Sequence, residues 1–128
     1  MQIIGDLCRY YHKTDSTKTK GLLKISSAID YMEKHFAKNI TIAKLSEISK
    51  MSETTFRRTF KKITGSAPID YLIHIRIEKA AEVMREKPEL NVVDICISSG
   101  FENCGYFARK FKEIIGVTPI QYLRKQRR

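Results

Sequence analysis

From Leu22 to Phe36 the apolar residues Leu22, Ile25, Ile29, Met32 and Phe36 recur at every third or fourth position, the spacing of one helix face. After Ala37-Lys38-Asn39, Thr41 stands where a hydroxyl caps a helix, and Ile42, Leu45 and Ile48 supply that helix's inner face. Ser52 offers the next cap, ahead of Phe56, Phe60 and Ile63, and Gly65 ends the run where a positive φ is usually needed. Pro68 suits a first helical position, which predicts a long helix to about Arg85. The series then starts again. Asn91 caps a helix with Val92, Ile95 and the small Cys96; Gly100-Phe101 turns the chain. Asn103 caps a helix with Phe107, Phe111 and Ile114, Gly116 stops it, and Thr118-Pro119 opens a last helix with Tyr122 and Leu123.

The chain therefore contains an internal repeat. Ile42, Leu45, Ser46 and Met51 match Val92, Ile95, Cys96 and Phe101 in one register. After a single-residue insertion in the turn, Phe56, Arg58, Phe60, Lys61, Gly65, Pro68, Ile69, Tyr71 and Leu72 match Phe107, Arg109, Phe111, Lys112, Gly116, Pro119, Ile120, Tyr122 and Leu123. Each copy is a short helix, a turn and a longer helix. The small Ser46 or Cys96 lets the second helix approach, and Met51 or Phe101 plugs the turn. This is the helix-turn-helix arrangement, whose second helix enters the major groove of DNA. Ahead of the repeat, Ile3, Ile4, Leu7, Cys8 and Tyr11 share a helical face, followed by a polar linker from His12 to Gly21. The segment 1–21 reads either as the end of a preceding effector or dimerisation domain or as a frayed terminus. The expected organisation is a first unit at 22–67, a linker helix at 68–86 and a second unit at 87–128. The expected fold class is all-α, with two helix-turn-helix subdomains.

The outward faces of the two longer helices carry the candidate chemistry. Stepping about 100° per residue from Phe56 sets Phe60 and Ile63 on the inner face. Thr54, Arg58 and Lys61 lie opposite, flanked by Arg57 and Lys62. In the second copy Gly105, Arg109 and Lys112 point outward, flanked by Ala108 and Glu113. Arginine pairs with guanine edges, and lysine neutralises phosphates. Charge changes the picture in the same direction: 24 Lys plus Arg against 14 Asp plus Glu give a net +10. That balance calls for an anionic partner, nucleic acid first and a membrane surface second. A basic helical module that binds a partner protein or an anionic membrane is the alternative reading. It would need one strongly basic amphipathic helix rather than two matched units. The terminal run Arg124-Lys125-Gln126-Arg127-Arg128 fits either phosphate contacts or a solvated tail.

Other chemistries find little support. His12, His35 and His74 belong to no metal or nucleophile motif, and no glycine-rich phosphate loop occurs. The sequence thus offers no catalytic residue, no metal site and no cofactor. Cys8, Cys96 and Cys104 form neither a C-x-x-C pair nor a disulfide framework, which suits a reducing, cytoplasmic setting. No apolar run approaches the ~20 residues of a membrane span, and the start does not read as a signal peptide.

The residues from Leu22 to Arg127 resemble the AraC/XylS family of bacterial transcription regulators. The resemblance is carried by Ser99-Gly100-Phe101, then Tyr106-Phe107-Ala108-Arg109-Lys110-Phe111-Lys112, then Gly116-Val117-Thr118-Pro119 and Tyr122-Leu123. A fainter copy is Phe56-Arg57-Arg58-Thr59-Phe60-Lys61 with Gly65, Pro68, Tyr71 and Leu72. The resemblance implies a seven-helix domain that binds double-stranded promoter DNA in the bacterial nucleoid and contacts RNA polymerase as an activator. It implies base-facing roles for Thr54, Arg57, Arg58 and Lys61, and for Gly105, Ala108, Arg109 and Lys112. Arg76 falls where the family usually places Arg in the linker helix. Three departures stand out. Lys50 replaces the glycine that Gly100 supplies, so the first turn is expected to end its helix differently. Gly105 and Ala108 shorten the second reading face, and Ala67 replaces the cap that Thr118 provides. A linker helix of ~27 Å, at about 1.5 Å per residue, falls short of the ~34–36 Å between successive major-groove faces. The expectation is a monomer on an asymmetric, bent site of about two helical turns.

Overall fold

Side-chain caps set the helix ends in a computed structural model that describes the backbone of residues 16–127 and the side chains of residues 20–127. Among the described residues the chain forms α-helices only: α1 (Ser16–His35), α2 (Ile42–Ile48), α3 (Glu53–Thr64), α4 (Pro68–Glu86), α5 (Val92–Ser98), α6 (Cys104–Ile115) and α7 (Pro119–Gln126). The all-α, seven-helix expectation holds. The expected helix at Met1–Tyr11, with Cys8 and His12, lies outside the described residues.

Every cap named from sequence is made. The side chains of Thr41, Ser52, Asn91, Asn103 and Thr118 accept from the backbone N–H groups of Lys44, Thr55, Asp94, Tyr106 and Gln121, respectively. Each such bond fills one orphan donor of a first turn and contributes about 1 kcal/mol. Gln121 reaches back to the Thr118 N–H at 3.0 Å, which completes a capping box. Gly65 and Gly116 end α3 and α6 in the left-handed conformation, with φ 85° and 101°.

Two expectations need correction. The stretch Ser16–Gly21, read as polar linker, is the first part of α1. Once the apolar face from Leu22 onward nucleates a helix, each further residue adds a hydrogen bond at little cost, so polar residues extend it. Gly21 is tolerated there because the helix passes close to α3: a Cβ would lie 3.9 Å from Thr59 Cγ2. The second correction concerns Lys50. The first turn ends its helix in the same way as the second. Lys50 adopts φ 54° where Gly100 has φ 99°. The bonds match as well: Lys50 N–H to Glu47 O and Met51 N–H to Ser46 O, against Gly100 N–H to Ile97 O and Phe101 N–H to Cys96 O. The shared turn geometry overrides the local preference of lysine.

Packing divides the chain into two units. Among the described residues, one holds those up to His35 together with Ile40–Tyr71; the other holds Phe36–Asn39 and those from Leu72 to Arg127. In the first unit Leu22, Ile25, Met32, Leu45, Phe56, Phe60 and Tyr71 are buried. Phe60 packs on Phe56 with ring centroids 5.5 Å apart, and edge-on to Tyr71 at 5.2 Å. Ser49, at the end of α2, donates from its hydroxyl to Lys24 O of α1. The second unit repeats this ladder: Phe107 to Phe111 at 5.7 Å and Phe111 to Tyr122 at 5.6 Å, with Phe101 of the turn 5.0 Å from Phe107. The ladders differ at their last rung. Tyr122 accepts a hydrogen bond from Arg85 Nη1 at 2.8 Å. The Tyr71 hydroxyl is buried with no partner among the described residues, and burial beside Glu33 pushes its pKa up to about 12.

Candidate nucleic-acid interface

In the first unit the inner face of α3 is taken up by Phe56, Phe60 and Ile63, all buried. That fixes the opposite face: Thr54, Arg57, Arg58, Lys61 and Lys62 are all exposed. None of the four cations makes an ion pair within the described residues, so their charge is available to an outside partner. The Ser52 cap orders the first turn, from which a reading helix reaches base edges.

In the second unit Phe107 and Phe111 anchor α6, which leaves Gly105, Arg109 and Lys112 exposed and Ala108 half-buried. The Arg109 guanidinium lies 5.4 Å from the centre of the Tyr106 ring. Lys110 approaches the same ring at 5.8 Å and pairs with Glu113 at 3.6 Å. Tyr106 was not among the sequence candidates. The signal was present, because an aromatic three positions before an arginine shares its side of a helix.

Three arginines of the second unit serve structure instead. Arg76 donates through Nε to Phe36 O at 2.6 Å and through Nη2 to Lys38 O at 2.9 Å. Burial lowers its pKa, and the two carbonyls replace part of the lost hydration. This tie holds the segment 36–39. It also explains why Gly100 is glycine beyond its φ: a Cβ there would stand 2.8 Å from Phe36 O and 2.9 Å from Arg76 Nε. Arg85 holds Tyr122, as above. Arg127, part of the basic terminal run, donates to Pro88 O at 2.6 Å and Leu90 O at 3.2 Å. That residue is a staple of the fold; Arg124 and Lys125 remain exposed.

Among the described residues no group of three His, Cys, Asp or Glu could hold a metal ion, and no helix is long and apolar enough to cross a membrane. His35 stacks on Tyr31 with ring centroids 4.6 Å apart. Cys96 is buried, with its Sγ 3.8 Å from Phe101 O, and burial, helped by the neighbouring Cys104 thiol, pushes its pKa up to about 12. Cys104 is half-buried at the start of α6.

Two repeated helix-turn-helix units, each presenting a longer helix with outward arginine and lysine, define a double helix-turn-helix domain of the DNA-binding class. Comparison with known proteins agrees. The model of a family described as a helix-turn-helix domain matches residues 45–125. A Bacillus subtilis protein named as an uncharacterized HTH-type transcriptional regulator, YobQ, is 34% identical over 97 residues, which are 75% of this chain and 39% of that protein. The C-terminal domain of AraT, a response regulator from Geobacillus stearothermophilus, superimposes with a TM-score of 0.73 at 33% identity, over 80% of this chain and 84% of that one. The DNA-binding domain of AdpA, solved in complex with a target DNA, shares the fold with a TM-score of 0.75 at 24% identity, over 80% of this chain and 92% of that one. The chain belongs to the AraC-type helix-turn-helix family of transcription regulators, and sequence-specific DNA binding is the function of that fold here. It spans only 16% to 39% of the length of the curated relatives it matches.

Proposed function

We propose that α3 and α6 each enter the major groove of one promoter site, and that α3 carries more of the base discrimination. The supporting observation is the contrast between the two faces. Thr54, Arg57, Arg58 and Lys61 present four side chains with donors, while Gly105 and Ala108 leave Arg109 and Lys112 as the only long cations at the matching places of α6. Arg57 and Arg58 are assigned to base edges or nearby phosphates, and Lys61 and Lys62 mainly to phosphates. A domain with two reading units has no need of a second copy to contact two groove segments, so it acts as a monomer. The regulator that carries this domain works in the bacterial cytoplasm and contacts RNA polymerase.

The test is a selection of bound duplexes from a random pool, followed by affinity measurements. Arg58→Ala should weaken binding to the preferred site by ~1–3 kcal/mol and relax the choice at one or two base pairs. A selected motif that is identical for the parent and for Arg58→Ala would remove Arg58 from the reading face.

A further inference from the structure

We propose that the second reading helix recognises a thymine by its 5-methyl group, received in the hollow that Gly105 and Ala108 open between Arg109 and Lys112. This rests on α6 reading duplex DNA. The positions that carry Thr54 and Arg57 on α3 carry Gly105 and Ala108 on α6, and the outcome is an open hollow of about 610 Å³ lined by Gly105, Ala108, Arg109, Lys112 and Glu113.

Gly105 has no positive φ, but a Cβ on it would stand 3.2 Å from Asn103 Oδ1, the acceptor that caps α6, so a side chain there would press on the cap. The matching place on α3 holds Thr54 beside the shorter Ser52 cap, and the place that matches Ala108 holds the exposed Arg57, so the second helix alone opens this hollow.

The neighbouring charges leave the hollow open. Arg109 leans toward Tyr106, three residues back and on the side of the helix away from Ala108. Tyr106 is itself packed near Phe101, with ring centroids 6.3 Å apart. Glu113 is drawn to Lys110, on that same side. What remains at the floor is the helix backbone at Gly105 and the methyl of Ala108. Such a floor has no side-chain donor or acceptor to offer a base edge. In the major groove every base but thymine presents only polar or C–H edges, while thymine adds a methyl group. The small residues also let the helix come closer to the base pairs, which brings Arg109 and Lys112 within reach beside the methyl.

The experiment uses the whole chain and its selected duplex. Each thymine is replaced singly by deoxyuridine, which removes the methyl and nothing else, and binding is followed by fluorescence anisotropy. One position, within the part of the site that responds to Arg109→Ala, should weaken by about fourfold, the worth of one buried methyl. Ala108→Leu, which fills the hollow, should abolish that deoxyuridine effect while positions that respond to Arg58→Ala keep theirs. Ala108→Gly should reduce it, and serves if the leucine variant does not fold. A duplex bound tightly and selectively, with deoxyuridine tolerated throughout the part that responds to Arg109→Ala, overturns the thymine assignment and leaves DNA reading intact. A chain that does not discriminate between duplexes at all overturns both.

Discussion

Lys50 holds a left-handed backbone, φ 54°, at an exposed turn position where its counterpart is Gly100. A non-glycine residue in that region is strained by about 1–2 kcal/mol, while glycine adds unfolded-state entropy worth about 0.5–1 kcal/mol. The difference predicts that Lys50→Gly raises stability by about 0.5–1 kcal/mol in urea unfolding without altering DNA affinity. A loss of stability would show that the lysine side chain makes a compensating contact. At Gly100 the same exchange in reverse is blocked twice, by φ and by Phe36 O. Cys96 gives a second prediction at this scale. Its thiol, pushed up to about 12, is protonated throughout the physiological range, so the reactive thiolate is scarce until the pH nears that value or the protein unfolds. Peptide mapping after iodoacetamide treatment at pH 8 should find Cys96 unmodified in the native protein and modified in urea. Equal labelling of both states would contradict its burial, and oxidants should leave duplex affinity unchanged.

Among elements, the helix ends were the most legible feature. Thr41, Ser52, Asn91, Asn103 and Thr118 act through bonds to groups three residues away, so local sequence contains both partners. The start of α1 was not legible, because its polar first turns are propagated from the apolar face behind them. The arginine ties were not legible either. Arg76, Arg85 and Arg127 bind groups distant in sequence, two of them through backbone carbonyls that carry no sequence signal. Sequence could thus count the basic residues but could not sort fold-holding arginines from free ones. The outward face of α3, proposed to read DNA, stays on the free side of that division. Neutralising Lys61 or Lys62 to Gln should weaken specific and non-specific duplexes alike and lower the salt slope by about one unit each at most. An unchanged slope, measured by anisotropy across a salt series, would make both lysines mere solvated surface.

For the whole molecule, the repeat was readable because two copies of one packing problem were solved with the same residues: Phe56, Phe60 and Tyr71 against Phe107, Phe111 and Tyr122. What the pattern hid is that Phe36–Asn39 pack with the second unit, since four residues after a helix show no periodicity. Both longer helices are proposed to serve one DNA site from one chain, and hydroxyl-radical footprinting on the selected duplex, at one protein per duplex, decides it. Two protected blocks are expected on one face, about one helical turn apart, with unlike sequences in the two halves and slowed mobility in circular-permutation gels from a bend. A single protected block on unbent DNA would show that only one helix docks.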